Sequence, residues 1–167
     1  MSDPRIDVIG IGNAIVDILV HADDDLLVSE GMTKGAMTLI DADEAKRLYE
    51  KTDGAIECSG GSAANTIAGL ASLGGSGVFV GKVHNDRMGE VFRNDIHAIG
   101  VSYDTLPTVS GPPTATSMVL VTPDAKRTMQ TFLGACVDLS PEDIDLEQIA
   151  DETEVRADGE RYATNVA

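Results

Sequence analysis

Two groups of residues in this chain could do chemistry on a small polar molecule. Asn13 and Asp17 lie just past a short apolar run, and an amide beside a carboxylate can hydrogen-bond the two hydroxyls of a vicinal diol. Taken alone, the pair is also what a turn asparagine and a surface aspartate look like. The second group is Gly60-Gly61-Ser62-Ala63-Ala64-Asn65, which leads into a run of small residues. Glycine there lets backbone amides at a helix start, with the Ser62 and Asn65 side chains, approach a ligand with no Cβ in the way. A tight strand-to-helix turn would need the same glycines for geometry only.

Other constellations fail on spacing. Gly10-Ile11-Gly12 follows an apolar run, but Ile15 stands where a dinucleotide fingerprint needs its third glycine, and the next residues are β-branched rather than helix-opening. No Gly-Lys-Ser/Thr follows a glycine cluster, so a P-loop is not present. Cys58 and Cys136 stand far apart without a CxxC or a His-rich neighbourhood, which suggests neither a zinc site nor a disulfide framework but two reduced thiols.

Charge narrows the partners. Among 167 residues, 28 acids outweigh 12 Lys and Arg, giving a formal net charge of -16. Nucleic acid and acidic membrane surfaces are therefore not expected partners, because phosphate neutralisation needs clustered cations. A hydrophobic content of 43% allows a real core. The start, Met-Ser-Asp-Pro-Arg, leads into a strand-like run with no basic, apolar and cleavage segments in succession, so a cytoplasmic location is expected.

The elements that must position these residues follow an α/β cadence. Ile6 to Ile11 and Ile15 to Val20 read as strands, the second interrupted by Asp17. Ala36 to Ile40 is a further short strand, and Asp41 caps a helix over Ala42 to Glu50, with Glu44 placed for a capping box. Ala64, Ile67, Ala68 and Ala71 recur at helical spacing until Gly74-Gly75 ends that helix. Gly77 to Val83 is a strand, and Met88, Val91, Phe92, Ile96 and Ile99 mark an amphipathic helix from Asp86 to Gly100, followed by a β-rich Val101 to Leu106. Thr114 to Thr122 and Arg127 to Phe132 form a hairpin about the turn Pro123-Asp124-Ala125-Lys126. Ser140 and Pro141 open one more helix. Past Ala150 no clear period remains, and acids recur from Glu142 to Glu160 as in a solvated face or tail.

Read together, these motifs resemble the ribokinase-like (PfkB) kinases. Gly12-Asn13 with Asp17, Gly60-Gly61-Ser62 with Asn65, Gly74, Gly81-Lys82-Val83 with Asp86 and Gly89, and Ile99-Gly100-Val101 stand in the family's order and spacing over about residues 6 to 139. Asn65 to Ala71 and Thr116 to Val121 resemble the bacterial adenosine-kinase-like branch. Ile67 stands where a small residue is usual, and His84 where glycine is common.

The resemblance implies an α/β fold: the N-terminal part of a three-layer α/β/α sandwich with a small β-lid built from segments near residues 15–40 and 114–132. It implies that Asp17 holds two hydroxyls of a sugar, with Asn13, Gly61, Ser62 and Asn65 lining the same pocket, and that Arg127 faces phosphate in a closed form. A solvent-exposed hairpin arginine is the other reading of Arg127. The reaction implied for the intact enzyme is ATP- and Mg²⁺-dependent phosphorylation of a hydroxymethyl group on adenosine or a related sugar. Its Gly-Ala-Gly-Asp base motif, anion hole and Asn-x-x-Glu metal motif belong to a second half not found in this sequence, so no catalytic or metal-binding residue is assigned. Residues 1–150 are thus expected to be a partial, truncated domain and residues 151–167 an acidic tail, altered by truncation or frameshift, because Asp151 to Glu160 cannot serve as a buried strand. The alternative is a non-catalytic nucleoside- or sugar-binding module, or one part of a split enzyme that pairs with a separate C-terminal half. Self-association is a further expectation, since half a sheet exposes an edge and an apolar face.

Overall fold

The computed structural model describes residues 6–52 and 54–144. Strand β1 (Val8–Ile11) pairs in parallel with β5 (Gly77–Val80). The remaining strands make a five-stranded mixed sheet in the order β3 (Met37–Leu39), β7 (Arg127–Phe132), β6 (Ala115–Val121), β2 (Ile15–His21) and β4 (Ile56–Gly60). The segments expected in the lid therefore gather into one sheet. β4 closes one of its edges, although the sequence reading found no strand there.

Helix starts follow from local chemistry. Asp23 caps α1 (Asp24–Ser29), Asp41 caps α2 (Ala42–Glu50) and Asp86 caps α4 (Arg87–Ala98), each carboxylate accepting a backbone N–H of the first turn. Only half of the capping box expected at Asp41 forms. The Glu44 carboxylate is taken by Arg47, at 2.7 Å from its Nε, and does not return to the Asp41 amide. Helix α1 was not expected, because Asp23-Asp24-Asp25 before Leu26-Leu27 supports only six residues and too little apolar period to detect.

Three expectations change at the level of backbone pairing. The strand expected over Gly77 to Val83 ends at Val80, and at Gly81 the backbone runs so close to the Gly12 carbonyl that an added Cβ would lie 2.7 Å from its oxygen. Val101 to Leu106 forms no strand beyond one bridge between Ser102 and Val78, and Val101 and Tyr103 join the core. The helix expected after Ser140 is a 3₁₀ turn, Pro141–Asp143, in which the Asp143 carboxylate accepts the Ser140 N–H at 2.9 Å. Asp143 also pairs with Lys82 in a mostly buried ion pair that fastens this turn to the end of β5. The acidic tail expected over residues 151–167 lies outside the described residues.

The core sits where α4 packs under the large sheet. Val16, Ile18, Met118 and Leu120 supply the sheet side, and Leu27, Leu48, Phe92 and Ile96 supply the helical side. Phe79, Phe92 and Tyr103 pack mutually with ring centroids 5.4–6.0 Å apart, and the buried Tyr103 hydroxyl donates to the Gly81 carbonyl at 2.8 Å. Truncating Phe92, which is fully buried, leaves a cavity among two aromatic rings. Phe92→Ala should lower unfolding free energy by about 3–5 kcal/mol, measured by urea titration at constant slope. An unchanged midpoint would show that this cluster does not organise the core.

Asp86 links the helix layer to the lid. Besides capping α4 through the Gly89 amide at 2.8 Å, it accepts the Thr114 N–H at 2.9 Å and the Thr114 hydroxyl at 2.7 Å. One carboxylate thus fixes where α4 begins and where β6 enters the sheet.

Candidate functional site

Alternation along β2 decides which way Asp17 faces. Val16 and Ile18 are buried toward the helices, so Ile15, Asp17 and Leu19 share the opposite, half-covered face. Register then places Cys58 of β4, Asp17, Ser117 of β6 and Thr131 of β7 in one row, which ends on Leu39 of β3. The Ser117 and Thr131 hydroxyls bond to each other at 3.0 Å. The next row, Ile56, Leu19, Val119, Met129 and Met37, is wholly apolar. This face therefore offers a polar line beside an apolar one, which suits a molecule with a hydroxylated edge and a less polar body.

The turn after β4 completes the site. A Cβ built on Gly60 would fall 2.3 Å from the Asp17 carboxylate, so that carboxylate lies directly over bare backbone. Gly61 has φ +98° and ψ 140°, and a Cβ there would meet the Asn13 carbonyl oxygen at 2.4 Å. Both glycines are required, one for close approach and one for conformation as well. The Gly60-Gly61 turn thus lies against both the Asp17 carboxylate and the Asn13 carbonyl.

Helix α3 (Ser62–Ser72) starts at this turn without a side-chain cap, unlike the three Asp-capped helices. Its first amides are left for another partner. Ser62 and Asn65 lie exposed in its first turn, and neither hydrogen-bonds to Asp17. Arg127 is exposed at the first residue of β7, in the row of His21 and Val121. Two strands across and four residues along from Asp17, it stands roughly 16 Å away by strand geometry. The structure does not bring it to the Asp17 site.

Burial alone raises the Asp17 pKa above its ordinary value of 3.8, because no cation is set against the carboxylate among the described residues. Beside it, the Cys58 thiol is pushed up by burial first and then by the negative charges of Asp17 and Asp95, and so stays protonated at neutral pH. A half-buried carboxylate with spare lone pairs, amides at an uncapped helix start and a neutral thiol make a hydrogen-bonding surface for hydroxyls. Among the described residues no three His, Cys, Asp or Glu side chains come together to hold a metal ion.

Sequence reading missed Gly60 as the residue beneath Asp17, and missed Cys58, Ser117 and Thr131 as its row partners. Gly60 carried a signal in the glycine pair itself. The other three carried none, because partners in a row are set by strand register across separations of tens of residues.

The model of the pfkB family carbohydrate kinases matches residues 35–162. The chain belongs to this family. It is similar to the crystal structure of adenosine kinase from Sinorhizobium meliloti, with a TM-score of 0.81 and 52% identity, covering 88% of this chain and 45% of that one. Among curated relatives, probable fructokinase-6, chloroplastic, of Arabidopsis thaliana is 28% identical over 74% of this chain and 29% of its own length. The ATP-dependent ribose-1-phosphate kinase of Halopiger xanaduensis is 31% identical over 66% of this chain and 38% of its own. This pfkB-family chain thus spans less than half the length of the relatives it matches. The match extends through residue 162, and within the described residues the fold is the ribokinase-like one expected from the motifs. No helix among the described residues is long and apolar enough to cross a membrane.

Proposed function

We propose that this chain supplies the acceptor pocket of a pfkB-family kinase that phosphorylates a hydroxymethyl group on adenosine or a related sugar. The observation that carries the reading is the Asp17 carboxylate seated over Gly60, half-buried and free of any cationic partner among the described residues. A carboxylate so placed accepts both hydroxyls of a vicinal diol, and each bond is charge-assisted. Asn13 and the uncapped start of α3, with Ser62 and Asn65, offer further donors to the sugar, while Leu19, Val119 and Met129 offer an apolar surface to an attached base. Adenosine is favoured over fructose or ribose by this polar line beside an apolar row, and by the 52% identity to an adenosine kinase.

In the intact enzyme ATP with Mg²⁺ supplies the phosphoryl group, and an aspartate outside the assigned residues takes the proton of the attacking hydroxyl. The present residues bind and orient the acceptor. A binding module working without turnover, or one part of a split enzyme, would use the same pocket, and the outer edge of β1, which among the described residues pairs only with β5, favours a complementary C-terminal part. Calorimetric titration of the 167-residue chain with adenosine, ribose and fructose tests the acceptor reading. Adenosine should bind most tightly, and absence of heat with all three would overturn it. Adding ATP should give no phosphorylation by the purified chain; turnover would show that it carries its own base.

A further inference from the structure

Edge strand β4 carries Gly60 to its place beneath Asp17, yet among the described residues only one of its sides is paired with another strand. Helix α4 grips it. Near the start of α4, Arg87 holds the Glu57 carboxylate through both guanidinium nitrogens, at 2.8 and 3.1 Å, while Tyr49 donates to the same carboxylate at 2.6 Å. Eight residues on, about 12 Å along the helix, the Asp95 carboxylate accepts the Ser59 N–H at 2.6 Å. Strand alternation sends Cys58 and Gly60 to the other face, toward Ile15 and Asp17.

Asp95 stands where a helix disfavours it. The last turn of α4 presents free carbonyls and the negative end of the helix dipole, so an acid there is unfavourable unless another contact offsets it. That contact is the Ser59 amide, the strand residue immediately before Gly60. Removing it frees the outward amide of an edge strand and takes away a tether one residue before the Gly60-Gly61 turn, which sits against the Asp17 carboxylate and the Asn13 carbonyl.

We propose that Asp95 is a positioning residue for the acceptor pocket: its carboxylate holds the Ser59 amide of β4 and thereby fixes Gly60 and Gly61 beneath Asp17. The inference rests on the acceptor reading of Asp17, but its first readout does not. In the 167-residue chain, Asp95→Ala should raise hydrogen exchange at the Ser59 to Gly61 amides by about ten-fold while β6 amides keep their protection. Adenosine affinity should fall about ten-fold with little change in melting temperature. Asp95→Asn keeps an oxygen acceptor for the Ser59 amide and should retain most of both properties. Unchanged local exchange in Asp95→Ala overturns the proposal, as does a rise shared equally by β6, which would make Asp95 a general stabiliser. Equal losses in the Ala and Asn variants would assign the effect to charge and overturn it too. Should the parent chain bind no adenosine while the local exchange still responds, the acceptor reading fails and the seating of the turn by Asp95 stands.

Discussion

Asp17→Ala should lower the adenosine affinity of this chain by at least about 100-fold while leaving its folding stability unchanged or slightly higher. Two charge-assisted hydrogen bonds to a diol are worth about 1.5–3 kcal/mol each, and together they exceed a hundred-fold in binding. Stability moves the other way because the carboxylate is half-buried without a cation. Its folded-state pKa is raised, so folding works against the ionised form at neutral pH, and that penalty is relieved as pH falls through the folded value. Acceptor affinity should decline over the same interval above pH 3.8, since the protonated acid loses its charge-assisted bonds. Calorimetry with adenosine across pH, paired with thermal melts, reads both effects. Wild-type affinity in Asp17→Ala, or a loss of affinity accompanied by an equal loss of stability, would remove Asp17 from the site.

Gly61→Ala should be the most damaging single methyl group in the turn. The backbone at φ +98° is open to glycine and strained for any side chain, and the new Cβ would sit 2.4 Å from the Asn13 carbonyl oxygen, an atom of the backbone that cannot swing aside. Strain of this kind costs about 1–3 kcal/mol before the clash is counted. A total near 3 kcal/mol corresponds to a melting temperature lower by roughly 6–12 °C in a chain of this size. Gly74→Ala is the matched comparison, because Gly74 has φ +88° but nothing within 4 Å of an added Cβ. It should lose only the strain, and adenosine binding should survive in it and fail in Gly61→Ala. Equal losses in the two variants would mean that the close approach of the turn to Asn13 is unimportant.

Much of this architecture was written locally. Ala42–Glu50 was expected residue for residue, because its apolar period and its Asp41 cap lie within one short window. The hairpin of β6 and β7 was legible for a related reason: two β-rich runs flank a four-residue turn, and no distant partner is needed to recognise it. Asp86 was marked by its place before an amphipathic helix, but its second bond, to Thr114, joins residues 28 apart and left no local trace.

What the sequence determined by itself was the helix starts at Asp41 and Asp86, the hairpin and the family membership, while it nominated Asn13, Asp17 and Gly61 for one pocket. The helix starts and the hairpin rest on side-chain chemistry or spacing confined to a few neighbouring positions, and the family membership on several such motifs standing in a fixed order. Only the tertiary structure decided that Gly60 lies under the Asp17 carboxylate, that Cys58, Ser117 and Thr131 share its row, that Arg127 stands apart, and that Asp95 reaches the Ser59 amide. The physical reason is register. A shift of one residue between strands turns every side chain to the opposite face, and that choice is made by packing of the whole sheet against its helices rather than by any local motif.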